Sequence, residues 1–296
     1  MKNIVIYHAN CPDGAMAAAV VVRVIRDRSG ADVELVPASY QRPLEGYVTA
    51  EKVVDGAIFI VDFSFSPEEM TKLGEMVGDE GGCVVMLDHH KSAVERFAGY
   101  VPLPNTKIVL DLEHSGAMLA WKHFCGDAPA PLLVENVEDY DLWWHKIPTS
   151  KAVHAYLRSM DMDVQLCVGL LDEMLAVGVT YTWHLITSQG AAILRANDQQ
   201  AKILASHSET VTFAGLTALA SNAPLHQDDV GEELARQCSS GVGVLWYWRE
   251  GRYKVSLRSW SVDGREPFDC SAVAKIYGGG GHRGAASFMC DVLPWR

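Results

Sequence analysis

Four short apolar runs constrain the fold most. NIVIYH (3–8), DVELVPA (32–38), AIFIVDF (57–63) and CVVML (83–87) each have the length and β-branched content of a buried strand. The stretches between several of them have helical character. GAMAAAVVVRVIRD (14–27) is continuously helix-forming. SPEEMTKLGEMV (66–77) opens with a Ser cap, a Pro at the first helical position and two acids in the first turn. Strands alternating with helices predict a mostly parallel sheet with helices on both faces. In such a sheet the reactive residues collect where strands end and loops begin.

The rest of the chain divides differently. From about residue 114 the pattern turns helical: SGAMLAWKHFCG (115–126), APLLVENVEDYDLWW (130–144), then further helices over 150–208. Strands follow near 210–220, 241–248 and 252–259, then a helix near 269–277 and GGGGHRGAASF (278–288). The expected architecture is α/β. Residues 1–190 form a parallel-sheet domain, joined by a helical connector to a smaller α/β domain with a mixed sheet over 191–296.

The strand ends carry the chemistry. His8 and Asp13 follow the first strand, Asp62 ends the third, and Asp88, His89 and His90 end the fourth. Glu138, Asp139 and Asp141 form a further acidic group in VENVEDYDLWW. If the strands are parallel neighbours, these groups face one crevice. Carboxylates brought together there repel one another unless a divalent cation takes up their charge. Mixed His and Asp ligation without thiolate clusters suits Mn²⁺, Mg²⁺, Fe²⁺ or Zn²⁺. Two such ions close together activate water and clamp a leaving oxygen in phosphoryl hydrolysis.

Composition narrows the partners. The formal net charge is −12, which is wrong for a protein that grips long nucleic acid by counterion release. Seven scattered cysteines, with no C-x-x-C, argue against a disulfide framework and a structural zinc knuckle, and a reducing cytoplasm is the expected setting. No apolar run reaches the roughly 18–20 residues of a membrane span. The opening MKNIVIYHAN reads as a first strand rather than a leader peptide. Four consecutive glycines before His282 and Arg283 suit a place where backbone N–H groups approach an anion without side chains in the way, and not a strand or helix interior. Arg283 adds a bidentate phosphate donor. Trp260 and Tyr277 are candidates for stacking on a base, His114 for reaching the crevice, and Ser115 for a plain helix cap.

In this order, HANCPDGAMAA (8–18), VDFSF (61–65), LDHHKSA (87–93), VEDYDLW (137–143) and GGGGHRGAASF (278–288) resemble the DHH phosphoesterase family with its DHH-associated C-terminal domain. The resemblance spans nearly the whole chain. It implies Mn²⁺, with Mg²⁺ or another transition metal as alternative, as one or two ions at a site in the cleft between the two domains. Asp62 would bridge two ions. Asp13 and His89 would be ligands, Asp88 would orient an imidazole, and His90 would face the scissile phosphate. The last ligand is Asp139 or Asp141. Gly279, Gly280, Gly281, His282, Arg283 and Arg258 would bind the substrate's phosphate.

Cys11 departs from the family's pattern, standing where a first Asp is usual. His8, three residues earlier, would supply the missing ligand, and Cys11 itself is a possible one. The implied activity is hydrolysis of short oligonucleotides or linear dinucleotides to nucleoside monophosphates. Polyphosphate, pyrophosphate or phosphoadenosine hydrolysis is the alternative within the class, and a non-catalytic nucleotide-binding module the alternative outside it. The expected partner is a short nucleotide or phosphate ester, with neither long nucleic acid nor membrane; self-association into a homo-oligomer is compatible with the sequence.

Overall fold

In the computed structural model, residues 2–40, 42–78, 81–177, 181–281 and 283–295 are described. The chain divides into two compact units, Met1–Ile193 and Leu194–Arg296.

The first unit begins β1 (Asn3–His8), α1 (Pro12–Ser29), β2 (Val33–Ala38), α2 (Ala50–Val53), β3 (Ala57–Val61), α3 (Pro67–Val77), β4 (Cys83–Asp88), α4 (Lys91–Arg96) and β5 (Thr106–Leu110). The five strands form one parallel sheet in the order β2-β1-β3-β4-β5. Side chains alternate across a strand, so each run feeds two cores. Ile4, Ile6, Ile58, Ile60, Val84 and Met86 pack on one face with Met70, Leu73 and Val77 of α3. Val5, Phe59, Val61 and Leu87 pack on the other with α1. Burial on both faces explains why these runs are continuously apolar rather than alternating.

Helix α1 is apolar almost all round because it is buried almost all round, from Pro12 to Val22. It ends at Gly30, whose left-handed backbone (φ 64°) turns its N–H back to Arg26 O. Helix α3 starts in a reciprocal cap: Ser66 accepts the Glu69 N–H, and Glu69 accepts the Ser66 N–H. Strand β5 was not anticipated. TKIVL is short and half-exposed, which places it at the sheet edge.

A helical layer follows: α5 (Gly116–Cys125), α6 (Leu132–Asp141), α7 (Ser150–Ser159), α8 (Val164–Val177) and the long α9 (Tyr181–Ser206), which runs across the division between the units. Helices α5 and α8 join α1 in the core on its face of the sheet.

The second unit adds β6 (Glu209–Phe213), β7 (Leu216–Asn222), α10 (Gln227–Gln237), β8 (Val242–Arg249), β9 (Arg252–Ser259), α11 (Cys270–Ile276), β10 (Gly280–Gly281) and β11 (Ala285–Cys290). Its six strands form a mixed sheet in the order β10-β11-β9-β8-β7-β6, with β7 and β8 parallel. The architecture is thus the expected one: a parallel sheet between helices, then a smaller mixed sheet.

One expectation is corrected. The glycine run is not free of strand structure, because Gly280 and Gly281 pair antiparallel with Ser287 and Ala286. The physical reason is close approach. A Cβ on Gly279 would lie 2.2 Å from the Ser287 carbonyl oxygen, and one on Gly281 would lie 2.5 Å from that of Ala285. Glycine there lets an edge strand press against β11. Among the described residues no helix is long and apolar enough to cross a membrane.

Candidate metal centre

The strand order reverses between β1 and β3, the place where open parallel sheets bind ligands at their carboxyl ends. His8 ends β1, Asp62 follows β3, and Asp88 ends β4. The turn after β3 is tight: Asp62 has a left-handed backbone (φ 52°) while its N–H donates to Leu87 O of β4. Asp is among the residues that tolerate this conformation.

The side chains converge. His89 Nε2 lies 3.1 Å from Asp62 Oδ1, 3.3 Å from Asp141 Oδ2 and 3.7 Å from Asp13 Oδ2. On the opposite side of Asp62, His8 Nδ1 lies 3.4 Å from Oδ2, and neither of these buried atoms completes a hydrogen bond. Three sets have ligand atoms all within 4.8 Å of one another: His8, Cys11 and Asp62; Asp62, His89 and His90; Asp13, His89 and Asp141. Asp62 and His89 each belong to two of them.

Each carboxylate is placed by a local device. Asp13 sits in the first turn of α1 but is held from α5: Gly116 N–H donates to Oδ2 at 2.6 Å and Ala117 N–H to Oδ1 at 2.9 Å. Two first-turn N–H groups with no partner inside their own helix thus fix a buried side chain. Gly116 is required there, since a Cβ would meet Asp62 Cβ at 2.5 Å and Asp13 Oδ2 at 2.9 Å. Asp141 is the last residue of α6. Asp139, two residues earlier on the same helix, points elsewhere: its Oδ1 accepts the Lys146 N–H at 2.8 Å. Of the two, Asp141 faces His89.

Asp88 is fully buried and organises the turn behind the site. Its Oδ1 accepts the His89 N–H at 2.8 Å and lies 2.7 Å from His90 Nδ1. A carboxylate only accepts, so Nδ1 of His90 carries the proton and Nε2 is left for another partner. The imidazole that Asp88 orients is therefore that of His90.

The electrostatics reflect crowding. Burial pushes the Asp13 carboxyl well above its usual range, and Asp62 and Asp141 push it further. Burial, then Asp62, raises Asp141 to about 6. Burial alone would also raise Asp62, but the imidazoles of His8 and His89 outweigh it and hold that carboxyl well below the usual range. Burial would lower His89, yet the carboxylates around it, Asp62 foremost, raise it to about 9. The Cys11 thiol is pushed up by burial and by Asp62 and Asp13. One imidazole N–H serves one acceptor, so His89 cannot satisfy three carboxylates. Nitrogen and oxygen donors with unpaired buried atoms among them fit a hard or borderline divalent cation.

The other predicted residues have these partners. Arg258, on β9, pairs with Asp228 at 2.5 Å, and Arg283 pairs with Glu266 at 2.6 Å. Gly279–Gly281 lie against β11, and His282 falls outside the described residues. Tyr277 stacks on Phe288, with ring centroids 4.4 Å apart, and Arg236 covers the ring of Trp260. Ser115 caps α5, and His114 pairs with Glu138 at 2.9 Å.

Two contributors escaped the sequence reading. The N–H groups of Gly116 and Ala117 carry no side-chain signature, although a Ser cap followed by Gly marked the helix start. Tyr40, two residues beyond the end of β2, carried the same strand-end signal as the others. Its ring stacks on Phe63 (centroids 4.5 Å apart) and meets His8 and His90 edge-on at 5.7 and 6.0 Å.

The fold is like that of a solved DHH domain. The chain superposes on the DHH domain of a protein described as a member of the S1p family of ribosomal proteins, with a TM-score of 0.59 and 15% identity over 98% of this chain and 82% of that one. It also superposes on PggH, a pGpG-specific phosphodiesterase from Vibrio cholerae, with a TM-score of 0.54 and 13% identity over 98% of this chain and 93% of that one. In sequence it is 24% identical, over 298 residues, to an uncharacterized protein, R106, of Acanthamoeba polyphaga mimivirus. That match covers 96% of this chain but 66% of the viral protein, so the chain spans just under two thirds of its relative's length. No family model matches the chain.

Proposed function

We propose that the protein is a metal-dependent phosphodiesterase that hydrolyses short oligonucleotides or linear dinucleotides to nucleoside monophosphates. The observation that carries this is the convergence of Asp13, Asp62, His89 and Asp141, with His8 and Cys11 on the other side of Asp62. These residues would hold one or two divalent ions, Mn²⁺ by preference. A bound ion there would supply Lewis-acid chemistry, lowering the pKa of water and neutralising charge on a phosphoryl group.

The chain's own groups do the rest. Gly116 and Ala117 keep Asp13 from turning away. The Asp88 carboxylate holds the Nδ1–H of His90 and favours its imidazolium form, whose Nε2–H would donate to a phosphoryl oxygen, a dipole fixed in advance for charge that develops during reaction. His282 and Arg283, with the glycine run and Arg258, would bind a phosphate of the substrate. The acidic net charge supports a short substrate, because a single pocket rather than a basic track then suffices. PggH, which shares this fold, is a pGpG-specific phosphodiesterase, and its substrate is of the class proposed here.

The test is a panel of linear dinucleotides, longer oligomers, tripolyphosphate and phosphoadenosine, each with Mn²⁺, Mg²⁺, Co²⁺ or Zn²⁺ and product analysis. Metal-dependent release of monophosphates from the shortest nucleotides is expected, and Asp62→Asn should abolish it. Preferential turnover of tripolyphosphate or phosphoadenosine would replace the substrate assignment. Tight nucleotide binding without turnover under any metal would make the protein a binding module instead.

A further inference from the structure

Tyr40 has a geometry that the proposed chemistry leaves unused. One face of its ring is covered by Phe63, stacked at a 29° interplanar angle. Two of its approaches are taken by the imidazoles of His8 and His90, at 64° and 78° to the ring. Yet 48% of the residue is exposed, in a region where Phe63 beneath it is 1% exposed. A large, half-exposed aromatic ring backed by a second ring, beside two imidazoles of the candidate phosphate site, is a surface for a flat ligand. An inorganic phosphate chain would gain nothing from it. A nucleobase has a π-face that stacks on Tyr whatever its identity.

We propose that Tyr40 is the base-stacking wall of the N-terminal site: the base of the nucleotide whose phosphate is held at the metal centre beside His90 packs on the exposed part of the Tyr40 ring. This rests on the phosphoester reading of the metal centre and adds what selects a nucleotide over a polyphosphate. The wall is sequence-tolerant, since it meets the base through an aromatic face. Tyr40 is thus a specificity-determining residue, acting on binding rather than on the reacting atoms. The order of rings also explains the pairing of Tyr40 with Phe63: an aromatic backing keeps the wall from rotating when a base leaves.

The experiment compares adenosine 5′-monophosphate with methyl phosphate, binding to the full-length protein loaded with Mn²⁺, by calorimetry. Wild type should bind the nucleotide tighter than methyl phosphate by about 5- to 150-fold, the range of one base stacked on one aromatic side chain. Tyr40→Leu should erase most of that ratio, and Tyr40→Phe should retain it. Thermal unfolding of both variants checks that the fold survives, and Tyr40→Phe keeps the test valid if the Leu variant does not fold. A ratio unchanged in Tyr40→Leu overturns the wall, and so does a ratio lost equally in Tyr40→Phe. If methyl phosphate binds wild type and the nucleotide binds no tighter, the wall fails while the phosphoester site stands. If neither phosphate binds the metal-loaded protein, the phosphoester reading falls and the wall with it.

Discussion

The carboxylate of Asp13 accepts the backbone N–H of Gly116 at 2.6 Å, a contact between residues 103 positions apart. It ties the start of α1 to the start of α5 and puts a buried acid beside Asp62. Because Gly116 lies against the Asp62 backbone, the contact leaves no room for a side chain.

Gly116→Ala should therefore displace Asp62 or Asp13. Overpacking of this kind costs about 1–3 kcal/mol of stability. A shift near 1 Å at a catalytic group lowers turnover by about 100-fold. Denaturant unfolding and kcat/KM measure the two effects. Wild-type turnover in a folded Gly116→Ala protein would mean that Asp13 and Asp62 need not hold this geometry.

Asp88→Asn replaces the carboxylate that fixes His90 with a neutral, weaker acceptor. Loss of such a supporting group lowers activity or metal affinity by about 10- to 100-fold. Since Asp88 touches His90 through Nδ1, the loss should appear in kcat more than in metal affinity. Mn²⁺ titration beside steady-state kinetics separates the two, and an effect confined to metal affinity would contradict the assignment.

The metal-free protein should lose stability as pH rises. Asp141 is raised to about 6, so its folded form binds a proton that the unfolded chain has released, and the contribution fades between about pH 4 and about 6. His89, raised to about 9, adds stability that is complete below about pH 6.5 and fades as pH climbs through about 9. Asp62 works in the opposite sense, at the acid end only: its depressed value adds stability above about pH 4 that is lost as pH falls through the folded value. Chelated protein should thus show a falling denaturation midpoint from mildly acid to alkaline pH, by on the order of 1–3 kcal/mol for Asp141 alone. Saturating Mn²⁺ should raise the midpoint most at the alkaline end. In Asp141→Asn the acid-side slope should become shallower, leaving the share that the raised Asp13 carboxyl contributes in the same sense, and an unchanged slope would exclude Asp141 as a source.

The glycine run allows packing and phosphate binding to be separated. Gly279→Ala places a methyl 2.2 Å from the Ser287 carbonyl oxygen, so it should destabilise the C-terminal unit. Gly280 has open space around the same position. Gly280→Ala should leave the unfolding midpoint within about 0.5 kcal/mol of wild type. It should raise KM for a dinucleotide if the run approaches phosphate, and an unchanged KM would assign the glycines to strand packing alone.

The parallel sheet, the helices α1 and α3 and the grouping of polar residues at strand ends were legible from local pattern. Runs such as AIFIV are buried on both faces, and a Ser-Pro-Glu-Glu start caps a helix wherever it occurs. The coupling of Asp13 to α5 was not legible, because backbone N–H groups look alike in every residue and only folding selects which acid they meet. Nor was the choice between Asp139 and Asp141, two residues apart on one helix: spacing cannot say which of the two faces His89. Gly280 and Gly281 read as open loop because glycine disfavours strands, but at Gly279 and Gly281 it is also the residue that fits where two backbones press together. Local sequence thus determined which elements form and which residue types reach their ends, since propensity and periodicity act over a few residues. Tertiary structure decided which carboxylates and imidazoles converge and which ring stands beside them, because those distances depend on how segments a hundred residues apart pack.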